Sequence, residues 1–204
     1  MPLGFQKVFV KGDKIQVRPI HTSDAHLAFT LVNDEEILKW LLWDGPKSER
    51  EITTTYKQWE TDFGRKRECH LAIERINIPG IVGCIGLNRR DYMEKADMGY
   101  WLAAAHWSKG YMTEAIRLIC YLGFKYLSLA KIYSPVFIGN ARSRRALEKN
   151  GFSLEGILRS HFKKCGEWRD VWYMSILKSE WEENECRFSP SFEDIALIEV
   201  DDSE

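Results

Sequence analysis

Two segments of the chain carry residue types whose spacing could do chemistry. Trp101–Glu114 reads WLAAAHWSKGYMTE: a strand ends, a short loop with Gly110 follows, and a long helix begins. Such a passage turns several free backbone N–H groups toward one point at the positive end of a helix dipole. Lys109 adds a full charge there, and Gly110 allows close approach of an anion. The chemistry would be phosphate binding; the plainer reading is a tight strand-to-helix connection. Ile138–Phe152, IGNARSRRALEKNGF, is again a strand running into a helix. Asn140 stands as its cap and Ser143 in its first turn, facing back toward the strand end. Arg142, Arg144, Arg145 and Lys149 form a basic face able to meet phosphates; the plainer reading is a capped, solvated basic helix.

Other phosphate sites fit badly, since the chain has neither GxxxxGK[ST] nor GxGxxG after a strand. The five cysteines include no CxxC pair, and the five histidines supply no HExxH. No metal site is therefore expected. His161 is of the residue type that can serve as a general base near neutral pH. Asp97 and Glu74, on central strands, could act through water. Each of the three, taken singly, is better explained by structure than by catalysis. Glu114 reads as a helix-start residue.

The two segments together resemble the GNAT N-acetyltransferases. That family's cofactor loop, [RQ]-x-x-G-x-[GA], falls on Trp107-Ser108-Lys109-Gly110-Tyr111-Met112, followed by Thr113-Glu114-Ala115. The first and last positions depart from the formula. Both departures resemble the branch related to ribosomal-protein N-terminal acetyltransferases, in which W-x-x-G-x-x-T-E-A and N-x-x-S-x-x-x-x-E-K-x-G-F are typical. Asn140, Ser143, Glu148, Lys149, Gly151 and Phe152 meet the second string, and Gly99-Tyr100-Trp101-Leu102 is similar to that branch's GYWL strand. The resemblance runs from about Lys14 to Trp181.

It implies an acetyl-CoA site between two splayed parallel strands, with Tyr100, Trp101 and Leu102 on the first. Amides of Lys109, Gly110, Tyr111, Met112 and Thr113 would hold the pyrophosphate. Trp101 and Leu102 would pair with the pantetheine arm, and Asn140 would bond it near the thioester. Arg145 belongs to the adjoining basic face. Many relatives protonate the departing thiolate with a Tyr, but the helix that would carry it has none here; the resemblance assigns Ser143 that role. A Glu expected in some relatives beyond Phe152 is replaced in this neighbourhood by His161-Phe162.

These residues need elements to position them. Ile15 and Val17 alternate with Gln16 and Arg18 in a strand over Lys14–Ile20. Helices are expected over Ala25–Val32, Glu35–Leu42 and Ser48–Phe63, the last closed by Gly64. Strands Cys69–Arg75 and Ile81–Leu87 form a hairpin about Asn77-Ile78-Pro79-Gly80. After Asp91-Tyr92-Met93-Glu94 comes a third strand, Lys95–Leu102. Helix Met112–Leu127 is the clearest of the chain, with apolar residues at 116, 119, 120, 123, 124 and 127. Strand Lys131–Ile138, helix Ala141–Asn150, and strands Phe152–Arg159 and Trp168–Leu177 complete a mixed α/β fold. The expected architecture is one GNAT-like domain with a central, mostly antiparallel sheet, two splayed parallel strands and flanking helices.

With 204 residues, 45% hydrophobic and 29% charged, the chain suits a single globular domain. The division expected is an arm over 1–13, the domain over 14–181 and an acidic tail over 182–204. Residues 180–204 hold ten acids and one Arg, so a net charge of −1 conceals a body near +8. A basic body suits an anionic ligand. The tail reads as a solvated appendage. No signal peptide or membrane span is read, so a cytoplasmic protein is expected. The function expected is acetyl transfer from acetyl-CoA to a primary amine, foremost a protein or peptide N-terminus. A small-molecule amine acetyltransferase is the alternative, with Leu38–Trp43 and Trp59 as a groove or, more plainly, as core. A non-catalytic RNA- or ribosome-binding module is the remoter one. Partners are thus acetyl-CoA and an amine acceptor, with no membrane, nucleic acid only through a ribosomal substrate, and a homodimer left open.

Overall fold

The computed structural model describes residues 3–63, 68–90, 94–184 and 191–199. Gly64, residues 91–93 of the expected connection, and 185–190 and 200–204 of the expected tail lie outside them. Among the described residues nine strands form one sheet: β1 (Leu3–Lys11), β2 (Ile15–Pro19), β3 (Glu68–Arg75), β4 (Ile78–Arg90), β5 (Lys95–Leu102), β6 (Lys131–Phe137), β7 (Ser153–Lys164), β8 (Glu167–Leu177) and β9 (Ser191–Glu199). Their order is β7-β8-β6-β5-β4-β3-β2-β1-β9. All pairs are antiparallel except β5–β6. The helices are α1 (Ala25–Val32), α2 (Glu35–Leu38), α3 (Glu49–Asp62), α4 (Tyr111–Lys125), α5 (Ala141–Glu148) and α6 (Lys178–Glu182).

Strand pleat divides the apolar residues between two cores. Leu71, Ile73, Ile85, Leu87, Ala96, Met98 and Leu102 pack with Ile116, Ile119 and Phe124 of α4 on one face. Ala72, Cys84 and Trp101 pack with Ala28 of α1, and Ile52 and Tyr56 of α3, on the other. Every residue of the expected α4 stripe is buried, but the buried face is wider and takes in Ala115, Leu118 and Leu122 as well. Gly123 completes that stripe because a Cβ there would lie 2.9 Å from Ile132 Cδ1.

Three local expectations change. The β3–β4 turn is Ile76-Asn77, with Asn77 at φ 60. Pro79 and Gly80 lie within β4, at the register shift between Glu74↔Ile81 and Arg75↔Ile78, so their turn chemistry is spent on a bulge. Helix α2 stops at Leu38, four residues early. Asp34 caps it by accepting from Glu36 N, but the chain then tightens into i,i+3 bonds, Trp40 N to Ile37 O and Leu41 N to Leu38 O. The arm and acidic segment also differ from free appendages: β1 and β9 pair antiparallel from Leu3↔Glu199 to Lys11↔Ser191 and extend the sheet beyond β2.

The β5–β6 pair positions the site. Only Lys95↔Lys131, Ala96↔Ile132 and Asp97↔Tyr133 are in register, after which the strands separate. Ser134 Oγ donates to Met98 O at 3.0 Å where they part, and Pro135 follows without an N–H to offer. The two splayed parallel strands expected from the sequence are thus present.

Candidate active site

A cleft of about 1180 Å³ occupies this opening. Its lining comes from both faces of the sheet, Tyr100 and Ser143 from the α4–α5 face and His70, Gly99 and Trp101 from the α3 face, so it passes between β5 and β6. No helix among the described residues is long and apolar enough to cross a membrane.

On the α4 side the cleft meets the loop before that helix. Ser108 and Gly110 are left-handed, at φ 62 and φ 84, and Gly110 is the N-cap without a side-chain cap bond. The first-turn N–H groups of α4 are therefore left to an outside acceptor. Gly110, Tyr111, Met112 and Thr113 line the cleft. The Lys109 side chain does not; its carbonyl accepts a hydrogen bond from Lys14 Nζ at 3.3 Å. Glu114 is no simple helix-start residue. Buried, its carboxylate accepts from the backbone N–H of Asp13 and, at 3.1 Å, of Lys14, which seats the β1–β2 turn on the start of α4.

Trp107, where the family formula has Arg or Gln, does two jobs. Its Nε1–H donates to Leu102 O at 2.8 Å, and its ring lies 3.8 Å beneath the Arg142 guanidinium. The loop is thereby tied both to β5 and to α5. Of the basic face, Arg142, Arg145 and Lys149 line the cleft, whereas Arg144 turns to Glu148 at 2.7 Å and to the Trp172 ring. Asn140 accepts from Ser143 N at 3.2 Å, as its cap role requires. Asn150, missed in the sequence, is buried and donates to Thr113 O at 3.0 Å and Ala146 O at 2.8 Å, joining the end of α5 to the first turn of α4. Its position inside the E-K-N-G-F string was the available signal.

The hydroxyls of Tyr100 and Ser143 share a hydrogen bond of 2.7 Å. Burial pushes the Tyr100 phenol well above its usual range, although the Ser143 bond pulls the other way. The phenol therefore stays protonated at neutral pH. His161 also reaches the cleft. Between Leu158↔Val171 and Phe162↔Arg169, β7 bulges, with Ser160 at φ 48 and its N–H bonded to Asp170 Oδ1 at 2.8 Å. Bulges re-aim side chains in this way.

Of the remaining acid–base candidates, Asp97 lines the cleft and accepts from Asn88 Nδ2 at 2.8 Å. Glu74 lies away from it, bound to Arg18 at 2.7 Å and Gln16 at 3.0 Å. His106, not singled out in the sequence, lines the cleft; burial first, then Arg75 and Lys109, lower its pKa and favour the neutral ring. Leu41, Leu42 and Trp43 are not a helix stripe, because α2 has already ended, and they wall the cleft beside Trp40.

Beyond Asp97 no β6 residue is in register with β5, although Met98 O and Leu102 O accept from Ser134 and Trp107, and the first turn of α4 has no side-chain cap; an extended, phosphate-bearing ligand such as acetyl-CoA fits this opening. The family description "Acetyltransferase (GNAT) domain" matches residues 14–153. "Probable N-acetyltransferase YjcK" of Bacillus subtilis is 32% identical over 183 residues, spanning 85% of this chain and 99% of that one. YdaF of the same bacterium, provisionally named a ribosomal N-acetyltransferase, is 30% identical over 178 residues, spanning 84% and 95%. The crystal structure of spermidine N-acetyltransferase from Vibrio cholerae with CoA and spermine superposes with a TM-score of 0.73 at 25% identity, covering 82% of this chain and 98% of that one.

Proposed function

The chain belongs to the GNAT acetyltransferase family, an N-acetyltransferase using acetyl-CoA, and from that premise we propose that its acceptor is a protein or peptide N-terminal α-amine. Acetyl-CoA supplies an activated acetyl group and a thiol leaving group. The amides of Lys109 through Thr113 would hold its pyrophosphate, the β5 edge at Trp101 and Leu102, where Leu102 O also accepts from Trp107, would pair with its pantetheine arm, and Asn140 would help to orient that arm. Arg142, Arg145 and Lys149 balance its charge. Ser143 is the proton donor to the departing thiolate. When the Tyr100 phenol is the donor in this pair, the Ser143 O–H is left free to point into the cleft. His161 is the candidate to receive the amine's proton.

The observation that carries this reading is the cleft through the β5–β6 opening, with the Tyr100–Ser143 hydroxyl pair at its edge. An extended substrate can enter from one face and a second from the other, and alignment of the two supplies much of the rate. Likeness to YdaF supports a protein N-terminus, and likeness to the spermidine enzyme keeps a small polyamine as the second reading. Calorimetric titration of acetyl-CoA followed by thiol-release assays with peptide N-termini and with spermidine tests both. Faster turnover of peptides supports the reading, and turnover of spermidine alone overturns it.

A further inference from the structure

On the α3 face the cleft changes character. Trp59 stacks on His70 at 3.8 Å between centroids and 12° between planes, and Tyr56 stacks on Trp59 at 5.4 Å and 26°. The floor beside this wall is bare. His70, Gly86 and Gly99 lie in register across β3, β4 and β5. A Cβ at Gly86 would fall 2.3 Å from His70 Nδ1, so only glycine lets the ring lie there; a Cβ at Gly99 would meet nothing within 4 Å, so the space above it is open. Trp40 and Trp43 also line the cleft, and Trp43 remains 43% exposed.

Charge is scarce on this side. The carboxylates among the lining residues are Glu51 and Asp97. Glu51 accepts from Lys47 N at 2.9 Å at the start of α3, and Asp97 is bonded to Asn88. A polycation entering here would shed water from several ammonium groups without a carboxylate for each. An aromatic ring would instead bury its faces against the stacked wall.

We propose that the α3 half of the cleft selects an α-aminoacyl acceptor with a large apolar or aromatic side chain, seated on the Trp59–His70 wall above Gly99. This rests on the N-terminal acetyltransferase reading and narrows it. The test is thiol release at saturating acetyl-CoA with peptides differing only in their first residue (Phe, Leu, Ala or Ser) and with spermidine. Phe and Leu peptides are expected to exceed Ala in kcat/KM by about tenfold or more. That ratio is expected to fall about tenfold in Trp59→Ala and in Gly99→Val, with calorimetric affinity for acetyl-CoA retained. Gly99→Val keeps the test open if Trp59→Ala does not fold, since its Cβ enters open space. Equal use of all first residues, preference for spermidine, or an unchanged ratio in Gly99→Val overturns the inference while leaving acetyl transfer in place. No thiol release with any acceptor, together with no acetyl-CoA binding, overturns both.

Discussion

Ser143 is held at two points of different kind: Asn140 accepts from its backbone N–H, and Tyr100 bonds its Oγ. If that pair protonates the leaving thiolate, Ser143→Ala lowers kcat about a hundredfold with little change in acetyl-CoA affinity. Tyr100→Phe removes only the orienting bond and lowers kcat about tenfold, or about 1.4 kcal/mol. A thioester with a more acidic thiol should restore much of the rate in both variants, because a better leaving group needs less proton transfer. A merely structural defect would not respond to the thiol. Gly110 is the second sensitive residue. At φ 84 a β-branched side chain is strained, so Gly110→Val is expected to weaken acetyl-CoA binding in calorimetry and to cost about 1–2 kcal/mol in urea unfolding. Neither the Tyr100–Ser143 bond nor the Trp107–Arg142 stack was readable from spacing, since each joins residues more than thirty positions apart in sequence.

Elements position these residues through contacts at their ends. Helix α5 is fixed at its start by Asn140 and at its finish by Asn150, whose amide reaches Thr113 O in the first turn of α4. Asn150→Ala is expected to cost about 1–2 kcal/mol, read in urea unfolding, and to raise the acetyl-CoA dissociation constant severalfold. A local change confined to α5 would leave that constant unmoved. The limits of α1, α3 and β5 were legible from caps and periodicity because those signals are local. The end of α2 was not. Its sequence continues an apolar run, but Trp40 to Trp43 line the cleft, with Leu41 also packed against the α3-face core. The β3–β4 turn was misplaced for a similar reason: Pro79-Gly80 is turn chemistry, and the register with β3 uses it as a bulge.

Across the whole molecule, one charge cluster ties β2, β3 and the start of α1. Arg18 bonds Asp24 at 2.7 Å and 2.8 Å and Glu74 at 2.7 Å. Burial alone would raise both carboxyls, but the Arg18 hydrogen bonds and charge outweigh it and hold them below the usual range. Folded values below the unfolded ones mean that this stability is fully present above about pH 5 and is lost as pH falls through the folded values. The urea midpoint should therefore decline with acid below about pH 4.5. Asp24→Asn should be less stable at pH 7 and show a shallower acid dependence; an equally steep decline in that variant would assign the acid sensitivity elsewhere. The sequence by itself determined the family, the mixed α/β class and the two strand-to-helix segments that approach the cofactor, because caps, glycines and periodicity act within a few residues. Only the tertiary structure decided where β5 and β6 part, which basic residues turn inward, and that Trp59, His70 and Gly99 share one wall and floor. Those are juxtapositions set by sheet register and by packing on two opposite faces, and no local spacing encodes them.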